Sequence, residues 1–160
     1  MILLTDNSYS RDEFLNMEAK ILKTLQYKVN YNAPSLYIRR LAETIDDDVA
    51  KYIAYYLSEE FTISEESIKY VPSIIAATSF FIAVKITQNS NWTDAMVYYS
   101  GGYTVNQLME CIIDILMFVK VNTRHRNVYI KYASANNYRA SKLTEEWLKQ
   151  HSMADLLSIS

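Results

Sequence analysis

Fifteen consecutive residues, Tyr70 to Val84, carry no charge, and that run limits the folds open to this chain more than any other feature. It contains Pro72, Ser73, Thr78 and Ser79. A bilayer span needs about 20 predominantly apolar residues. The run is too short and too polar for one, so no membrane association is expected. Pro72 can open a helix, because its missing N–H costs nothing in the first turn. Ile74, Ile75, Phe80, Phe81, Ile82, Val84 and Ile86 then cover every face of a helix reaching about Thr87. A helix apolar all round has to be enclosed by others, and Ala76, Ala77 and Ala83 let neighbours approach closely. Two Gly and two Pro among 160 residues are too few for the turns of a sandwich or barrel. The expectation is all-α: one domain, or a domain and a fragment, around a central buried helix.

The remaining helices are read from caps and periodicity. Ser10 and Glu13 form an S-x-x-E capping box. Phe14, Met17, Ile21 and Leu25 follow on one helical stripe, with Leu15, Glu18 and Leu22 beside it. This helix is expected over 10–27, before an extended Val29–Tyr31 stretch. Pro34 opens the next, with Ile38, Leu41 and Ile45 inward. Asp46, Asp47 and Asp48 favour the start of a third helix, where the dipole welcomes negative charge. Its inward stripe is Val49, Ile53, Tyr56 and Leu57. Thr62–Ser67 reads as a polar loop. After the central helix, Asn91 is expected to cap a short one through Tyr99, ended by Gly101–Gly102. Thr104 and Gln107 form a second capping box, followed by Leu108, Ile112, Ile115 and Val119. Further helices are expected over Thr123–Ser134 and, more weakly, from Thr144.

Several function classes lose support at once. The two glycines are adjacent and fit no phosphate-binding loop. The one cysteine, Cys111, excludes an intramolecular disulfide; without a signal peptide, a reducing compartment is expected. Cys111 lies on an apolar stripe, where an inert buried thiol is the usual outcome. His125 and His151 lack a neighbouring nucleophile motif. No metal-ligand spacing occurs, and Asp46–Asp48 reads as a helix start rather than a cation site. Asn91-Trp92-Thr93 matches a glycosylation sequon but reads more simply as a cap. No catalytic residue, cofactor or metal is expected.

A family resemblance rests on several segments. Leu4-Thr5-Asp6-Asn7 and Tyr9-Ser10 resemble the "ITD-N-Y" segment of mitotic, A/B-type cyclins. Met17-Glu18 with Ile21-Leu22-Lys23-Thr24-Leu25 is similar to their "ME..IL..L" helix. Asn32-Ala33-Pro34 with Arg39-Arg40-Leu41 resembles "PTP..FLRR". Tyr70-Val71-Pro72-Ser73-Ile74-Ile75-Ala76-Ala77 resembles "YxPSxIAAAA", the central helix of the second cyclin box. Trp92, Gly102-Tyr103-Thr104 and Cys111 fall where that family has them, and Tyr129-Ile130-Lys131-Tyr132 is similar to "REKY". The likeness extends over roughly 3–143.

The resemblance implies a cyclin-like five-helix box around a central buried helix. It divides the chain into a remnant of the first box (1–31), the C-terminal box (32–134) and an extension (135–160). The chain as given begins inside the first box. The resemblance also implies a non-enzymatic subunit that binds and activates a cyclin-dependent kinase in the nucleus and cytoplasm. Glu18, Leu22, Tyr27 and Val29 fall on positions that in cyclins touch the kinase's C-helix. Tyr27 stands for the usual Phe and Val29 for the usual Leu.

Two surfaces invite partners. Exposing Phe14, Met17, Ile21 and Leu25 would forgo roughly 6–12 kcal/mol of gross burial, at about 1.5–3 each. This helix is therefore expected to dock on the second box, pair with a copy of itself, or fray; self-association or a domain swap is expected. Charge is also segregated. Glu43 to Glu66 holds eight acids and one base, Lys51; Ile115 to Thr144 holds six bases (Lys120, Arg124, Arg126, Lys131, Arg139, Lys142) and no acid. Solvated faces and pairing between the segments explain this more simply than nucleic acid, and Tyr129, Tyr132 and Tyr138 read as packing. A cyclin-fold adaptor binding protein or DNA in transcription is the alternative reading. A small helical hydrolase stands third.

Overall fold

Helices build the protein, and no strand occurs among the residues described in the computed structural model, 8–88, 90–121 and 126–151. The chain divides into two units between Asn32 and Ala33. In the first, α1 runs over Arg11–Thr24. In the second, α2 (Pro34–Ala42), α3 (Asp48–Phe61), α4 (Pro72–Gln88), α5 (Asp94–Ser100), α6 (Val105–Val121), α7 (Arg126–Ala133) and α8 (Ala140–Gln150) follow in order. Short 3-10 turns sit at Glu66–Lys69 and Ala135–Asn137.

The central helix is where the charge-free run placed it. α4 packs against α2, α3, α5, α6 and α8. From Ile75 to Lys85 every residue is buried. α2 opens with Pro34 at its first position. Asp47 caps α3, its side chain accepting the Ala50 N–H at 3.0 Å. Ile53, Tyr56 and Leu57 turn inward as the periodicity required, and Val49 is half-buried.

The structure differs from expectation in five places, the first being α2, which ends at Ala42 and leaves the half-buried Ile45 beyond it. α1 stops at Thr24 rather than near Tyr27, because Gln26 and Tyr27 take left-handed backbone (φ 51° and 57°). α5 is capped by Thr93, whose hydroxyl accepts the Met96 N–H at 3.3 Å, and not by Asn91. Gly101, at φ 99°, ends that helix as expected. The polar stretch after α3 is partly structural: Ser64 and Ser67 are buried and bond to each other. α8 starts four residues before Thr144. It begins at Ala140 without a side-chain cap, and Thr144 lies buried in its second turn, donating to the Ala140 carbonyl at 2.8 Å. Leu4–Asn7, Thr123, Arg124 and His125 lie outside the described residues.

Candidate functional site

α1 begins with the complete capping box. The Glu13 carboxylate accepts the Ser10 backbone N–H at 2.8 Å, and the Ser10 hydroxyl accepts the Glu13 N–H at 3.3 Å. The Ser10 N–H holds the Glu13 carboxyl below its usual range. At the other end the chain folds back on itself. The Gln26 N–H donates to Lys23 O at 3.0 Å and the Tyr27 N–H to Leu22 O at 2.9 Å. These are the two bonds of a Schellman motif, here with glutamine where glycine usually stands. Glycine is the signal that normally marks such an end, and no glycine stands here to announce it.

The motif ties Tyr27 to Leu22 through the backbone, bringing two of the four candidate contact residues to one helix end. At about 100° per residue, Leu15, Leu22, Arg11, Glu18, Leu25, Phe14, Ile21 and Met17 succeed one another around an arc of about 160°. Glu18 is the one carboxylate inside it. Phe14 and Leu22 are half-buried, and the other members of the arc are exposed. Tyr27 and Val29, past the helix end, are 65 % and 55 % exposed. α1 buries none of its residues. The stripe expected from the periodicity is present on one face of α1, and none of its residues is buried. A largely apolar arc that carries one carboxylate suits contact with a protein surface, where burial supplies affinity and the charge sets register.

The segregated charges meet across the second unit. Lys131 Nζ holds both Glu59 oxygens, at 3.0 and 2.6 Å, and the Tyr132 hydroxyl donates to the same carboxylate at 2.9 Å. The Tyr138 hydroxyl reaches Asp48 at 3.2 Å while its ring packs on Tyr52, centroids 5.0 Å apart. Tyr129 donates to Glu145 at 2.6 Å, a bond that pushes its hydroxyl up to about 12. All three tyrosines are thus engaged within the protein.

Several other residues singled out for their chemistry are buried or engaged within the protein. Burial pushes the Cys111 thiol up to about 12, so it is not a thiolate near neutrality. His151 stacks on Trp147 at 4.4 Å. Asp48 pairs with Lys51. The Trp92 ring N–H donates to Tyr103 O at 2.9 Å, bracing the segment around the sequon. Sequence reasoning missed Glu60. It lies on α3, 2 % exposed, with Oε2 bonded to nothing among the described residues. Burial first, and Glu59 second, raise its carboxyl to about 7. Neither its type nor its place on the α3 stripe announces this.

Comparison with known proteins is consistent with this architecture. The model of the family "Cyclin, C-terminal domain" matches residues 33–146. G2/mitotic-specific cyclin-4 of Saccharomyces cerevisiae is 29 % identical over 150 residues, covering 92 % of this chain and 32 % of that protein. G2/mitotic-specific cyclin-B of Hydra vulgaris is 32 % identical over 153 residues, covering 94 % and 42 %. G2/mitotic-specific cyclin-2 of Saccharomyces cerevisiae is 30 % identical over 144 residues, covering 89 % and 29 %. The chain therefore spans between three and just over four tenths of the length of these relatives.

Proposed function

Because this chain belongs to the cyclin C-terminal domain family, we propose that it serves as part of a mitotic cyclin, a regulatory and non-catalytic subunit that binds and activates a cyclin-dependent serine/threonine kinase in cell-cycle control. The observation that carries the reading beyond kinship is the solvent-facing arc of α1 with Glu18 inside it. In cyclins this helix lies against the kinase's C-helix. A rigid surface that prefers the active kinase conformation shifts the population toward it; the kinase's lysine–glutamate pair forms and the activation segment opens. On this chain Glu18 would orient the contact, Leu22 and Tyr27 would supply its apolar part, and Val29 would extend it. The same reading puts its action in the nucleus and cytoplasm.

Only part of a full contact surface is expected here, so affinity should be weak. The test is a calorimetric titration of this chain with a mitotic cyclin-dependent kinase, up to about 0.1 mM. Weak binding that disappears in Glu18→Lys and in Leu22→Ala supports the proposal. Absence of binding throughout that range, or binding indifferent to both substitutions, overturns it.

The exposed arc also supports self-association through the 10–27 segment, since large apolar patches on monomers usually mark interfaces. Light scattering at micromolar concentration tests this; a clean monomer with α1 protected from amide exchange would refute it. The transcription-adaptor reading is not favoured. Lys131, in the basic segment that motivated it, is held by Glu59, and the relatives above are mitotic cyclins by name.

A further inference from the structure

Two adjoining hollows on the second unit share Asp47 as a wall. The larger, about 480 Å³, lies between the start of α3, the end of α4 and α8. Val49, Ile86, Leu143 and Trp147 give it an apolar lining, with Glu146 at its edge. The smaller, about 320 Å³, lies between the end of α2 and the start of α3. Its charged lining is Arg39, Glu43, Asp46, Asp47, Asp48 and Lys51.

The charge balance of this surface is one-sided. Five carboxylates line the two hollows against two cations, and Lys51 is already held by Asp48. Glu43, Asp46 and Glu146 have no ion-pair partner among the described residues. The larger hollow mixes apolar side chains with Asp47, Thr87, Glu146 and Gln150, and its size falls within the range of ligand-binding clefts. The acidic hollow beside it repels anions and favours a guanidinium or ammonium group. Trp147 and Leu143 are the anchors a peptide side chain would meet, since aromatic and aliphatic groups in a partly desolvated slot dominate such contacts.

We propose that these two hollows form one docking groove for a short peptide segment of a partner protein, taking an aliphatic or aromatic side chain between Leu143 and Trp147 and a neighbouring Arg or Lys beside Asp46. Because the hollows share Asp47, the two peptide residues are expected to be near neighbours in the peptide. The groove does not depend on the kinase reading, because α1 takes no part in it. It gives this chain a means of selecting basic–apolar sequences whatever α1 binds.

The experiment pans a random heptapeptide library against the immobilised full chain. The two most enriched peptides are then titrated, fluorescein-labelled, by anisotropy. The variants Asp46→Lys, Glu146→Lys and Leu143→Asp alter exposed side chains, and circular dichroism verifies that each folds. The expected result is enrichment of sequences pairing Arg or Lys with Leu, Ile, Phe or Trp. Each variant should weaken binding by about tenfold, and replacing the peptide's base by Asp should abolish it. Three results would overturn the proposal: no enrichment, enrichment without a base, or affinity unchanged in all three variants. So would light scattering that shows a dimer dissociated by the same variants, which would assign the groove to a second copy of the chain.

Discussion

The Tyr132 hydroxyl donates to Glu59 Oε2 at 2.9 Å, on the same oxygen that Lys131 Nζ holds at 2.6 Å. One carboxylate on α3 thereby fastens α7 from two sides. The two bonds are unequal. Lys131 and Glu59 are about half exposed, at 52 % and 40 %, so their pairing is screened. Tyr132 is buried, its ring packed 5.8 Å from Tyr56. Tyr132→Phe is expected to cost about 1–2 kcal/mol, as for a bond to a charged acceptor. Lys131→Ala is expected to cost less than about 1 kcal/mol. Urea unfolding of the two variants decides the order; equal losses would contradict it.

Glu60, one residue on, makes the protein's stability depend on pH. Its folded carboxyl is raised to about 7 from 4.5. The folded state therefore holds this proton more tightly than the unfolded chain does. Stability from this group is complete below about 4.5 and is lost as pH rises through about 7. Asp48 and Glu145, both lowered, act with the opposite sign and in acid. Comparing Glu60→Gln with the parent isolates the effect. At pH 8 the variant should be more stable, by up to a few kcal/mol; at pH 4 the advantage should vanish. Urea midpoints at the two pH values test this, and a pH-independent difference would refute it.

Two neighbours in α4 should respond in opposite directions. Phe80 is fully buried, so Phe80→Ala is expected to cost about 3–5 kcal/mol. Ser79 is equally buried, and its hydroxyl has no partner among the described residues. Removing an unsatisfied buried hydroxyl and adding a better helix former should stabilise, so Ser79→Ala is expected to gain about 0.5–2 kcal/mol. Thermal unfolding checks both; a loss in Ser79→Ala would show that the hydroxyl has a partner.

α1 can be tested at each end. Ser10→Ala removes the capping box and should weaken the helix by about 0.5–2 kcal/mol. Gln26→Gly relieves a left-handed residue and should strengthen it by about 0.5–1 kcal/mol. Amide exchange at Ile21 and Leu22 should speed up in the first variant and slow in the second. The same direction of change in both would refute the account of the helix ends.

What could be read from residues alone was what local sequence signals determine. The hub after Pro72 was legible because fifteen residues without charge leave a helix no wet face. The box at Ser10 was legible because S-x-x-E is a local signal. The end of α1 and the start of α8 were not, because this chain turns at Gln26, Tyr138 and Arg139, where no glycine marks the left-handed backbone. The stripe on α1 was read correctly as a face, but whether a face is covered depends on what lies beyond it. The groove at Asp47 draws on α3, α4 and α8, whose contributions stand some 100 positions apart, and no window along the chain contains it.

The enclosure of α4 carries a consequence for how this chain can change over time. One residue added to or lost from that helix would rotate everything after it by about 100°. Phe80, Phe81 and Ile82 would each meet a different neighbour, and none of the five surrounding helices could follow independently. Length variation should therefore be confined to the stretches between helices, such as 25–33, and insertions within 75–85 should be purged.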